Sequence, residues 1–379
     1  MNFIERALMQ KLKKRFVANK VVLLFGARRT GKSHLLKKFT ETLKEPYLHL
    51  NGEDITTNEI LERRSIANYK RLLGKRKILI IDEAQKIPQI GSILKLMIDG
   101  IEGLKIIATG SSVFDLNNKL GEPLTGRSYS LYLYPLAHLE YIKHETLPET
   151  KARLAERIIY GNYPELVNIE GNAEKAAYLK ELVNSYLLKD ILEFEGVRNS
   201  VKMLGLLKLI AFAVGKEVSV DGLGRQLGIS KNTVERYLDL LTKVFVIYRL
   251  QGFSRNLGKE ITKSSKWYFF DNGIRNALIA NFNELTMRND TGELWENYIL
   301  AERIKFQEYT GMVSNNYFWR TYQQQEIDWI EERNGKLYAY EMKWKNAENV
   351  KVPSAWKTGY PDSKFEVITS ENYIDWIEN

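Results

Sequence analysis

The chain is 379 residues long, with a formal charge of +9, four histidines and no cysteine. The missing cysteine excludes disulfides, thiolate zinc sites and thiol nucleophiles, while His34, His49, His138 and His144 make no metal-ligand spacing, so metal chemistry is left to carboxylates and to hard cations such as magnesium. The length points to two or three domains, and the charge allows a polyanionic partner such as DNA without establishing one.

In chain order, the opening sixteen residues scatter Glu5, Arg6 and the cluster Lys11 to Arg15 among apolar positions. They lack the continuous apolar core of a signal peptide. The longest apolar run, around Leu204 to Val214, is broken by Lys208 and falls short of the roughly 20 residues of a membrane span. A cytoplasmic protein with no membrane partner is expected.

Val21 to Phe25 is an unbroken β-prone run, suited to a strand buried on both faces. Gly26-Ala27-Arg28-Arg29-Thr30-Gly31-Lys32-Ser33 follows and opens a helical pattern that runs to Leu43. Strand, glycine-bearing loop and helix together predict a phosphate-binding loop, with backbone N–H groups from Gly26 to His34 around the phosphates of ATP. Lys32 is expected on the β- and γ-phosphates, and the Ser33 hydroxyl on Mg2+. Further strands are predicted at Tyr47 to Asn51, Ile78 to Asp82, Lys105 to Thr109 and Ser128 to Tyr134, separated mostly by helix-length segments. That alternation predicts an α/β fold with a doubly wound sheet. Asp82 and Glu83 end one buried strand, where Asp82 can hold the magnesium and Glu83 can polarise the attacking water. Within Thr109-Gly110-Ser111-Ser112 a hydroxyl can sense the γ-phosphate. Arg127, after Gly126, is either a charge-stabilising arginine, in cis or in trans, or a surface residue.

These motifs, with Asp82-Glu83-Ala84-Gln85 and Tyr134-Pro135-Leu136, resemble archaeal and bacterial AAA-type P-loop ATPases of the STAND-related kind over roughly residues 15 to 145. The resemblance implies a nucleotide site like that of AAA+ motors. It also implies C-terminal domains that in many members touch nucleic acid, and it allows a homo-oligomer.

Leu147 to about Gly196 reads as helical, broken at Gly161 to Pro164, and is expected to form a lid on the ATPase. Ser219 to Ser230 followed by Lys231 to Val244 reads as helix, glycine turn, helix, and resembles a helix-turn-helix; Phe245 to Leu250 would open a wing. Lys231, Asn232, Thr233 and Arg236 would face DNA, yet Glu235 and Asp239 share the helix, so a unit that only packs domains is an equal reading. The basic run Arg249 to Lys266 is either part of that surface or merely solvated.

Residues 325 to 343 form two β-prone stretches around Asn334-Gly335, a hairpin signal that fixes the register. Counting outward, Asp328 falls opposite Glu341, about 5 Å apart on one face, where the two repel unless a cation lies between them. Lys343 shares that face, and either acts on a scissile phosphate or pairs with Glu326. A helix from Glu293 to Arg303 offers Glu296. Asp, Glu-x-Lys and an upstream Glu resemble the restriction-endonuclease-like fold with its PD-(D/E)xK site, which implies metal ligation by Glu296, Asp328 and Glu341 and phosphodiester cleavage. A noncatalytic nucleic-acid-binding relic and a structural hairpin stay open beside it.

The expected organisation is an ATPase core (1–145), a helical lid (146–198), a winged helix-turn-helix-like unit (199–255) and a nuclease-like α/β domain (256–379). The expected function is ATP hydrolysis, catalysed through Lys32, Glu83 and Arg127 and coupled to DNA binding or cleavage. The alternative is a nucleotide-controlled switch whose C-terminal domain is an interaction module.

Overall fold

Five parallel strands make the first sheet. The structure is a computed structural model that describes residues 4–111, 124–187, 199–255, 265–345 and 350–378. Ser112, the end of the expected lid (188–198) and most of the basic run (256–264) lie outside the described residues. The chain divides into two compact units. One holds Phe3–Pro135 with Lys243–Phe245, and the other holds Leu136–Thr242 with Val246–Asn379.

The N-terminal unit is built on β1 (Lys20–Phe25), β2 (Tyr47–Asn51), β3 (Ile78–Asp82), β4 (Lys105–Gly110) and β5 (Ser128–Tyr132). They pair in parallel in the order β2-β3-β4-β1-β5. Val21 to Phe25 and Ile78 to Ile81 are buried throughout, as their unbroken apolar runs require for strands covered on both faces. The chain passes from β1 outward to β2 and then returns through β3 to β4. Right-handed crossovers in those two directions put helices on opposite faces of the sheet, which is the doubly wound arrangement. All strand C-terminal ends therefore lie at one edge, where ligands of such sheets bind.

The C-terminal unit carries a mixed sheet in the order β11-β10-β9-β8-β6-β7. Its strands are β6 (Ile247–Gly252), β7 (Ser265–Phe269), β8 (Asn315–Arg320), β9 (Glu326–Arg333), β10 (Lys336–Met342) and β11 (Lys364–Ile368). Asn334 and Gly335 both have positive φ, +50° and +76°, the turn that a two-residue hairpin demands. One apolar cluster of this unit gathers Phe253, Trp319, Ile327, Ile330, Leu337, Ala339, Trp356 and Tyr360.

Two expectations about organisation change. The strand read as the opening of a wing is β6, which pairs antiparallel with β7 and parallel with β8, so it belongs to the large sheet, and a boundary at 255/256 would separate paired strands. The helix Leu147–Tyr160, read as an ATPase lid, is part of the C-terminal unit. Asn272 Nδ2 donates to Ile158 O at 2.9 Å and Asn276 Nδ2 to Ile159 O at 2.7 Å, so the helix end is tied to the segment after β7. Both pairings are non-local, and no pattern along the chain encodes them.

Candidate functional site: a phosphate-binding loop and a carboxylate cluster

β1 delivers the chain to Gly26, and the helix Lys32–Thr40 leaves from Gly31. Gly31 has φ +94°, a left-handed backbone that glycine tolerates and side chains strain. The Lys32 ammonium, buried, folds back to donate to Gly26 O at 2.7 Å and Ala27 O at 3.0 Å, so it closes the mouth of the loop. Arg6 braces the loop from below with bonds to Thr30 O (2.5 Å) and Tyr134 O (2.6 Å). No spacing along the chain signals this arginine, whose partners lie 24 and 128 residues away.

Ser33 Oγ donates to Asp82 Oδ2 at 2.8 Å, which brings together the two oxygens expected to share a magnesium. Thr109 Oγ1 donates to Asp82 Oδ1, and the Glu83 N–H bonds Thr109 Oγ1 at 3.1 Å. Thr109 thus fixes the acidic pair by touching both residues. Gln85 Nε2 donates to Glu83 Oε2 at 2.5 Å and to Ser111 Oγ at 3.3 Å. Glu83 itself takes φ +49°, an uncommon conformation for a side-chain-bearing residue, of the kind held at functional sites. A Cβ on Gly52 would meet Glu83 O at 2.2 Å, so β2 can end beside the acids only with glycine there.

Arg127 lies at the other end of this sheet. Its carbonyl accepts from Val21 N at 2.9 Å, and its guanidinium pairs with Asp99 at 2.6 Å. The length of β1, about 17–20 Å at 3.3 Å per residue, separates it from Gly26. A role in cis is excluded by that distance, and a role in trans needs a second copy of the chain.

In the C-terminal unit, Val220–Leu227 and Lys231–Lys243 are helices joined through Gly228 at φ +63°. Lys231, Asn232, Glu235, Arg236 and Asp239 are exposed, and Thr233 is half-buried. Lys231 Nζ lies 4.0 Å from Asp221 Oδ2 with both side chains solvated.

The hairpin register runs from Lys336↔Arg333 to Tyr340↔Trp329, so the next step sets Glu341 against Asp328. Opposite β8, β9 carries a bulge between Ile327 and Ile330, a device that re-aims a side chain. Asp328 Oδ2 accepts from Met342 N at 2.9 Å. Glu296, on the long helix Thr291–Thr310, reaches the same place, where Tyr268 Oη donates to its Oε1 at 2.5 Å. A cation does lie among these carboxylates, and it is the ammonium of Lys266 on β7. Its Nζ is 2.5 Å from Glu326, 3.7 Å from Glu296 and 3.8 Å from Asp328, and the side chain is 3% exposed. Glu326, one expected partner of Lys343, therefore pairs with Lys266, while Lys343 turns to Glu341 at 2.8 Å.

Residues 18–142 match the family described as AAA domain. The match covers most of the N-terminal unit, whose parallel sheet resembles a P-loop ATPase fold. Residues 151–285 and 291–376 match two domains of unknown function, DUF8612 and DUF4143. The first of these spans the helices after Tyr141 and runs on through β6 and β7. An uncharacterized protein of Mycobacterium tuberculosis is 28% identical over 330 residues, covering 85% of this chain and 70% of that one. Another, of Methanocaldococcus jannaschii, is 24% identical over 406 residues, covering 96% and 87%. Among solved structures, a Walker-type ATPase of Pyrococcus abyssi is similar with a TM-score of 0.48 at 17% identity, over 72% of this chain and 94% of that one.

In the N-terminal unit, a hydroxyl and a carboxylate 2.8 Å apart at the loop are hard oxygen donors that fit magnesium. The C-terminal cluster differs in its electrostatics. Burial pushes Glu296 up to about 8 against the opposing charge of Lys266, and Asp328 adds to the rise. Burial, with the Asp328 charge, likewise pushes Glu341 up to about 7, against the hydrogen bond from Lys343. Burial acts to lower Lys266, yet Glu296, Asp328 and Glu326 together outweigh it and hold the ammonium above the ordinary lysine range. Among the described residues, no three carboxylates or histidines are arranged to hold a metal ion. No described helix is long and apolar enough to cross a membrane.

Proposed function

We propose that the N-terminal unit binds MgATP at Gly26 to Ser33 and hydrolyses it. The observation that carries this reading is the convergence of Ser33 and Asp82 at 2.8 Å beside a lysine folded over the loop. Magnesium, when bound with ATP, would supply positive charge against the phosphates. Lys32 exchanges the Gly26 and Ala27 carbonyls for phosphate oxygens. Ser33 and Asp82 would hold the metal, and Thr109, bonded to Asp82, would fix that carboxylate in place. Glu83, steadied by Gln85, orients and deprotonates the attacking water as the bond between the γ-phosphorus and the bridging oxygen breaks. Glu83→Gln is expected to keep ATP affinity and to lower turnover by about 100-fold or more, the usual worth of a positioned base. Equilibrium binding and phosphate release on one preparation test this, and turnover within twofold of wild type would remove Glu83 from the mechanism.

A second reading, that this ATPase acts on DNA, is favoured by the exposed Lys231, Asn232 and Arg236 at the start of the second helix of the helix-turn-helix. Lys231→Ala with Arg236→Ala is expected to weaken duplex binding and to make its salt dependence shallower by up to about two phosphate contacts, each near 0.9 in log–log slope. A wild type without salt-dependent DNA binding would sink this reading in favour of the nucleotide-controlled switch, with the helix pair as a packing unit.

A further inference from the structure

The repulsion between Asp328 and Glu341 calls for a positive charge, and the fold supplies one from its own chain. Lys266 is the second residue of β7, whose other residues are Ser265, Trp267, Tyr268 and Phe269 and whose burial is complete. An ammonium on such a strand is tolerated only when paired, since an isolated buried charge is costly. Its partners come from two other elements, Glu296 from the helix Thr291–Thr310 and Glu326 and Asp328 from β9, while the ammonium itself stands on β7. Further donors of the chain reach the same carboxylates. Glu296 Oε1 takes the Tyr268 hydroxyl, Asp328 Oδ2 takes the Met342 N–H, and Glu326 Oε2 lies 3.7 Å from Arg320. Glu341 is engaged by Lys343. Magnesium needs inner oxygen ligands at about 2.0–2.1 Å in near-octahedral order. An ammonium held 2.5–3.8 Å from three of the four carboxylates takes that space and repels a second cation. The residues present therefore do not fit the metal that a PD-(D/E)xK site implies.

We propose that Lys266 is the resident cation of this cluster, that the native C-terminal unit takes no divalent metal there, and that removing the lysine charge opens the site to manganese or magnesium. The proposal does not rest on ATP hydrolysis by the other unit. It turns the cluster into a charge clasp that joins β7, β9 and the long helix, and it assigns no strand cleavage to Asp328, Glu341 and Lys343.

The test uses the full chain without nucleotide and counts bound manganese by the electron paramagnetic resonance of the free ion. Any manganese on the ATPase domain is common to all variants compared. Wild type and Asp328→Asn are expected to bind the same amount. Lys266→Met is expected to bind one further equivalent, which the double variant Lys266→Met, Asp328→Asn loses again. Manganese should raise the unfolding temperature of Lys266→Met more than that of wild type, because a ligand selective for the folded state stabilises it. Loss of a manganese equivalent when Asp328→Asn is made in the wild type would overturn the proposal, as would a folded Lys266→Met that gains none. Should Lys266→Met fail to fold, the wild-type and Asp328→Asn comparison still decides.

Discussion

Lys32→Ala is expected to lower ATP turnover by about 100- to 1000-fold, the range seen when one preorganised charge-stabilising donor is removed. The ammonium is the cation at the mouth of the loop, buried and 2.7 Å from the Gly26 carbonyl, so its loss takes away both the phosphate contact and the group that fills the loop. The fold should survive, because the loop keeps its other supports. Arg6 still bonds Thr30 and Tyr134, and Thr30 Oγ1 still bonds Ala27 O at 2.8 Å. An unchanged circular dichroism melt with collapsed phosphate release would separate the chemical loss from unfolding. Turnover within a few-fold of wild type would place hydrolysis elsewhere.

Arg303→Ala is expected to cost the C-terminal unit about 3 kcal/mol or more, the penalty for stranding one partner of a buried ion pair. Arg303 donates through Nε to Glu331 Oε1 at 2.7 Å and through Nη2 to Oε2 at 3.0 Å, and both side chains are at most 1% exposed. Gln307 at 2.8 Å and Trp329 at 3.0 Å complete the shell of Glu331. After the substitution, Arg333 Nε at 3.1 Å is the remaining cation and is itself partly solvated, so it offsets only part of the loss. The pair pins the helix that carries Glu296 to β9, which carries Glu326 and Asp328. A fall in the urea midpoint of the C-terminal transition checks this, and an unchanged midpoint would mean that the helix is held by apolar packing alone.

What the sequence disclosed follows from the range of the interactions. The ATPase sheet was legible because Val21 to Phe25 and Ile78 to Ile81 are buried on both faces and read as apolar runs, and because the phosphate loop needs contiguous residues. The hairpin register was legible because Asn334-Gly335 fixes it locally. Arg6, Gly52 and Lys266 were not legible, since each acts on residues far along the chain and matches no spacing rule. Arg127 misled for the same reason. Its position after a glycine looked like a motif, but the parallel pairing of β5 with β1 sets it at the end of the sheet away from the loop. The need for a cation beside Asp328 could be read from the register, whereas its identity depends on which strand folds next to it.

The proposed reaction is magnesium-dependent ATP hydrolysis at the loop from Gly26 to Ser33. Its most direct test is phosphate release from ATP by the purified full chain, titrated with magnesium and run beside Lys32→Ala. Release is expected to rise with magnesium, to stop with a chelator and to be lost in the variant. Equal release from the two proteins, or release that chelation leaves unchanged, would contradict it.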